Sequence, residues 1–146
     1  MKLINLCILF LISSIIICKT KDEKMLDFAK CAEDQIGMPY VNYDARGPSE
    51  FSNSGLVWYC RAVAGLSKAS TIYVSWKTVK EPKIGCHVYG ITKDKGASVE
   101  GDCLGVIVGV NPTIIVQGDE TKGVLISKQF TPDPKYIRTE YQYVDF

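Results

Sequence analysis

Residues 37–60 read GMPYVNYDARGPSEFSNSGLVWYC, and this stretch ends one local structure and begins another. Gly37 stops a helix arriving from the N-terminal side, and Pro39, which has no N–H to donate, prevents it resuming. Residues 37–51 therefore read as a loop or turn-rich extended segment. From Ser54 the pattern changes: Leu56, Val57, Cys60 and Ala64 fall along one face, so residues 54–65 are expected to be helical. Ser52 or Asn53 stands where a side chain can accept a first-turn amide. Upstream, Met25, Phe28, Ala29, Ala32 and Ile36 recur at helical spacing, which predicts an amphipathic helix over 22–36.

Downstream, β-branched and aromatic residues take over. TIYVSW (71–76), GCHVYG (85–90), CLGVIVGV (103–110), TIIVQ (113–117) and GVLIS (123–127) read as strands, and the alternating YIRTEYQYV (136–144) closes the sheet. Turn signals separate them at Lys93 to Gly96, Asn111-Pro112 and Gly118 to Gly123. Helices first and strands afterwards is the order of an α+β domain, with a mainly antiparallel sheet packed on its helices. No internal repeat or low-complexity tract interrupts it.

The N-terminus has a different character. LINLCILFLISSIIIC (3–18) is one apolar run behind Lys2, followed at once by charged residues, the layout of a secretory signal. It is shorter than the about 20 apolar residues of a membrane-spanning helix. Residues 1–20 are thus expected to be a cleaved signal and 21–146 a single secreted, extracellular, monomeric domain with no membrane attachment. Of the 17 Lys and Arg, Lys2 and Lys19 lie in the leader, leaving 15 basic against 16 acidic residues. That balance offers nothing to nucleic acid, which calls for a basic excess.

Beyond the leader stand four cysteines, Cys31, Cys60, Cys86 and Cys103. An even number in an exported chain argues for two disulfides, each worth about 2–4 kcal/mol, in any of three pairings. A four-cysteine zinc site would show two closely spaced pairs, whereas the successive separations here are 29, 26 and 17 residues. Neither a metal nor a cofactor is expected.

The stretch 37–60 resembles the N-terminal half of the NlpC, or p-sixty-type, cell-wall peptidases, which have a papain-like fold. Gly37, Pro39 and Tyr40 match the family's Gly-x-Pro-Tyr segment, and Ser54, Gly55, Leu56 and Val57 match its Ser-Gly-Leu-Val at a helix start. Downstream, PKIGCHVYG, CLGVIVG and IIVQ follow the family's strand order.

The resemblance implies a Cys thiolate at the helix N-terminus, a His to exchange its proton, and a polar third residue. The helix dipole and an imidazolium lower the thiol pKa, and backbone amides hold the oxyanion. Here those positions hold Asn53, Cys103 and Gln117. A carboxamide is no thiolate, and Asn53 is expected to be a structural helix cap. Cys60 lies seven residues further on, about 10 Å along the helix axis, away from the terminus that would activate it.

His87 is the single histidine. If Cys86 and Cys103 lie opposite one another on adjacent strands they form a disulfide, and His87 faces the other way, a half-buried strand residue. The companion pair is then Cys31 with Cys60, between the helices. Tyr40 corresponds to a tyrosine beside the reacting carbon, or is a buried loop aromatic. Trp58, Tyr59, Tyr73 and Trp76 are expected in the core.

Three functions stay open. The first is a pseudo-peptidase that has lost turnover and binds peptidoglycan-type peptides through Tyr40, Asn53 and Gln117. The second is an active cysteine hydrolase using Cys103 or Cys60 with His87, which requires a free thiol. The third is a disulfide-stapled interaction protein with a secreted or surface protein as partner.

Overall fold

The computed structural model describes residues 19–66, 76–94 and 99–144. The signal expected over 1–20, with Cys7 and Cys18, lies almost wholly outside the described residues. So do most of the TIYVSW strand, including Tyr73, the side chain of Trp76, and the end of the turn at Lys93 to Gly96.

Helix α1 (Lys21–Asp34) starts with a reciprocal cap. The Thr20 hydroxyl accepts from the Glu23 amide at 3.3 Å, and the Glu23 carboxylate accepts from the Thr20 amide at 2.6 Å. It buries Phe28, Ala29, Cys31 and Ala32. Helix α2 (Asn53–Val63) buries Gly55, Leu56, Val57, Cys60 and Arg61. Its cap is Ser52, whose hydroxyl accepts from the Gly55 amide at 3.0 Å, and this corrects the expectation for Asn53. Ser52 still has extended backbone (φ −91°, ψ 168°), so Asn53 is already the first helical residue and its side chain is released for another partner. Gly55 is required here, because a Cβ on it would lie 1.7 Å from the Ala45 carbonyl oxygen.

A disulfide joins Cys31 to Cys60 with the Cα atoms 5.4 Å apart, tying the helices together as expected.

Six strands follow: β1 (Trp76–Val79), β2 (His87–Asp94), β3 (Val99–Gly109), β4 (Ile114–Asp119), β5 (Val124–Gln129) and β6 (Arg138–Val144). They form one antiparallel sheet in the order β1-β6-β2-β3-β4-β5. Residues 37–40 continue it beyond β5: the Gly37 amide donates to Leu125 O at 2.8 Å, the Leu125 amide to Met38 O at 2.9 Å, and the Tyr40 amide to Gly123 O at 2.8 Å.

The main core lies between the helices and one face of the sheet, where Phe28, Phe51, Leu56 and Leu66 meet Val106, Val116 and Leu125. On the other face Cys86, Val88, Ile107 and Ile115 form a second buried cluster.

The register of β2 against β3 overturns one pairing. His87 stands opposite Val106, Val88 opposite Gly105 and Tyr89 opposite Cys103, so Leu104 is an extra residue, a β-bulge. Cys103 consequently faces the helices with Tyr89 and His87, while Cys86 faces away. Cys86 and Cys103 are both free thiols, because no bridge spans opposite faces of a sheet. His87 is likewise corrected: it shares the face of Cys103 and is 3% exposed, not half-buried.

Candidate functional site

The N-terminus of α2 meets the sheet where β3 and β4 part company beyond the Val106–Val116 pair. Asn53, the first helical residue, spans the junction. Its Oδ1 accepts from the Gly118 amide at 2.8 Å, and its main-chain oxygen accepts from the Cys103 thiol at 3.7 Å. The side chain at the helix start thus bolts α2 to the end of β4.

Gln117 stands next door, its Nε2 donating to the Gly118 carbonyl at 3.4 Å, a weak bond. Among the described residues it makes no hydrogen bond to Asn53 or Cys103, although all three border one groove of about 660 Å³. Tyr40 closes one side of that groove with its ring against Gly118, where a Cβ would come within 2.0 Å of it. The Tyr40 hydroxyl donates to Asn42 Oδ1 at 2.7 Å, and Asn42 Nδ2 donates to Glu120 at 3.3 Å, so the ring is oriented by a short chain of bonds. Burial, helped by Glu120, raises the Tyr40 pKa and keeps the phenol neutral. Opposite, the Tyr136 hydroxyl donates to Asp102 at 3.0 Å and sets the other rim.

Burial shifts both the Cys103 thiol and the His87 ring. Burial pushes the Cys103 thiol up to about 12, and the neighbouring Asp102 carboxylate adds to the shift. Burial also pulls His87 down to about 4, against the opposing effect of its hydrogen bond to Gln142, so the ring is neutral at pH 7. A cysteine nucleophile needs the reverse of both shifts. Cys60 is consumed in the disulfide and leaves the set of candidate nucleophiles. What the groove presents is amide, hydroxyl and carboxylate groups together with the ammonium groups of Lys128 and Lys135, suited to pairing with a ligand's polar atoms. Among the described residues no group of three or more His, Cys, Asp or Glu is placed to hold a metal ion.

The aromatic expectations divide. Tyr59 packs edge-on to Phe51 with ring centres 5.3 Å apart and is part of the core, whereas Trp58 is half-buried and borders a second cavity. Sequence reasoning missed Asp102 and Tyr136. The adjacency of Asp102 to Cys103 was a usable signal, but the position of Tyr136 depends on its packing against Gly90, which no local pattern encodes.

The sequence matches no family model and no curated protein. Among solved structures, the fold is similar to NlpC1 from Trichomonas vaginalis, at 17% identity and a TM-score of 0.55, over 87% of this chain and 45% of that one. It is similar also to NlpC2 from the same organism, at 17% identity and a TM-score of 0.54, over 86% of this chain and 47% of that one. The chain therefore spans about half the length of these solved proteins. Among the described residues two helices lie against a six-stranded antiparallel sheet, and this order with these neighbours makes the fold an NlpC-like one.

Proposed function

We infer that this chain is an exported, non-catalytic relative of the NlpC peptidases that binds peptide-like ligands of the cell-wall type in the groove beside Tyr40, Asn53 and Gln117. One observation carries the reading. At the helix start, where the family's chemistry calls for a thiolate, Asn53 makes a structural hydrogen bond to Gly118, and the nearby thiol of Cys103 is held protonated. A groove lined by Tyr40, Asn53 and Gln117 keeps donors and acceptors for amides without a group that attacks them.

Calorimetric titration with muropeptides tests it. The expected result is saturable binding with the peptides recovered intact, weakened about tenfold by Gln117→Ala, a loss equivalent to about one hydrogen bond. Absence of any saturable signal overturns the reading.

Turnover by Cys103 with His87 is the competing reading, favoured by their common face of the sheet. It requires a thiolate near neutral pH. Iodoacetamide alkylation of Cys103 that rises steeply below pH 8 would support it, whereas a rate still climbing above pH 9 supports the binding protein.

A further inference from the structure

A second cavity, of about 440 Å³, opens on the β2–β6 side of Cys103. Its floor follows from strand register: Tyr89 lies between Cys103 on β3 and Glu140 on β6, and His87 lies opposite Gln142. Its wall is one face of α2, where Ser54, Val57 and Trp58 occupy positions three and four residues apart. Ser54 and Cys103 border the larger groove as well, so the two cavities adjoin at these residues.

His87, Gln142 and Glu140 of the floor are linked to one another by hydrogen bonds. His87 is hydrogen-bonded to Gln142, and Gln142 Nε2 donates to Glu140 at 2.9 Å. Glu140 also accepts from Arg138 Nε at 3.0 Å and from the Thr78 hydroxyl at 3.3 Å. The rings are anchored too. The Tyr89 hydroxyl donates to Gly101 O at 2.9 Å, and the guanidinium groups of Arg61 and Arg46 lie 4.4 and 4.9 Å from the Trp58 ring centre. A charged guest would lose its water against groups that have partners, whereas an uncharged ring gains contact with Trp58, Tyr89 and Val57 without ordering them first.

We propose that this slot is a subsite for an uncharged aromatic side chain of a peptide ligand, whose backbone passes Ser54 and Cys103 into the larger groove. It rests on the reading that the groove binds peptides and goes beyond the cell-wall ligand, whose stem peptides carry no aromatic side chain.

The probe is N-acetylphenylalanine amide, titrated against Trp58 fluorescence in a Trp76→Phe background. Saturable binding is expected, with N-acetylalanine amide weaker by about tenfold or more. Ser54→Phe places a ring over the slot from an exposed helix position and should abolish probe binding while the circular dichroism stays that of the parent. Tyr89→Leu should weaken the probe by about tenfold. Equal affinity for the two amides, or full probe affinity in Ser54→Phe, overturns the proposal. Muropeptides that saturate the protein while the aromatic probe does not would refute the slot and leave the groove reading intact. Probe binding without muropeptide binding would support the slot and refute the cell-wall ligand.

Discussion

Replacing Asn53 by Ala removes an acceptor and strands a donor. Its Oδ1 takes the Gly118 amide at 2.8 Å, and Gly118 is buried. An unpaired buried donor costs about 1–3 kcal/mol, and the half-buried position of Asn53 puts the expected loss near 1.5 kcal/mol, in the lower part of that range. Asn53→Asp keeps an acceptor and adds negative charge in the first turn of α2, which the helix dipole favours by about 0.3–1 kcal/mol, so at pH 7 it should equal or exceed the parent. With a urea slope of about 1.5 kcal/mol/M, the Ala variant should lose about 1 M in midpoint with its slope unchanged. Equilibrium unfolding followed by far-ultraviolet circular dichroism, disulfide intact, measures all three proteins. An Ala variant with the parent's midpoint, or an Asp variant weaker than Ala, would refute the structural role of this side chain.

His87, buried and pulled down to about 4, takes up its proton in the unfolded chain first. Stability should be complete above pH 6.5 and fall as pH drops toward 4, by roughly 3 kcal/mol in all, and urea midpoints of His87→Gln should lack most of this slope. Breaking the bridge with Cys31→Ala plus Cys60→Ala should cost about 2–4 kcal/mol, read as a lower thermal midpoint. Gly118→Ala forces Tyr40 aside, since its Cβ would lie 2.0 Å from the ring; a loss of about 1–3 kcal/mol is expected in urea unfolding. Of the cysteines beyond residue 18, Ellman's reagent at pH 7.5 should find Cys103 slowly and Cys86 only after denaturation.

Much of the fold was legible because its signals are local. The face repeat of Phe28, Ala29 and Ala32, the stop at Gly37, and the β-branched runs after residue 100 all act within a few positions, and the observed elements lie close to their expected bounds. Asn53 and Ser52 are equally good caps as residue types, and only the backbone turn selected Ser52. The bulge at Leu104 was hidden, since an inserted residue leaves composition and alternation nearly untouched yet reverses the face of everything beyond it. It turned Cys103 to the face of His87, while the register, with Cys86 across from Ile107, had already set the two cysteines apart. The slot bordered by Trp58, Tyr89 and Gln142 was invisible for the same reason, as it draws on three strands whose alignment no single segment specifies.

Residues 37–40 occupy the outer margin of β5, so lateral growth of the sheet is blocked on that side. Among the described residues the opposite margin, β1, has no strand beyond it and bears the exposed Lys77. Among the described residues that leaves one border for edge-to-edge pairing, and two copies joined through it would leave no second described border from which a fibre could grow.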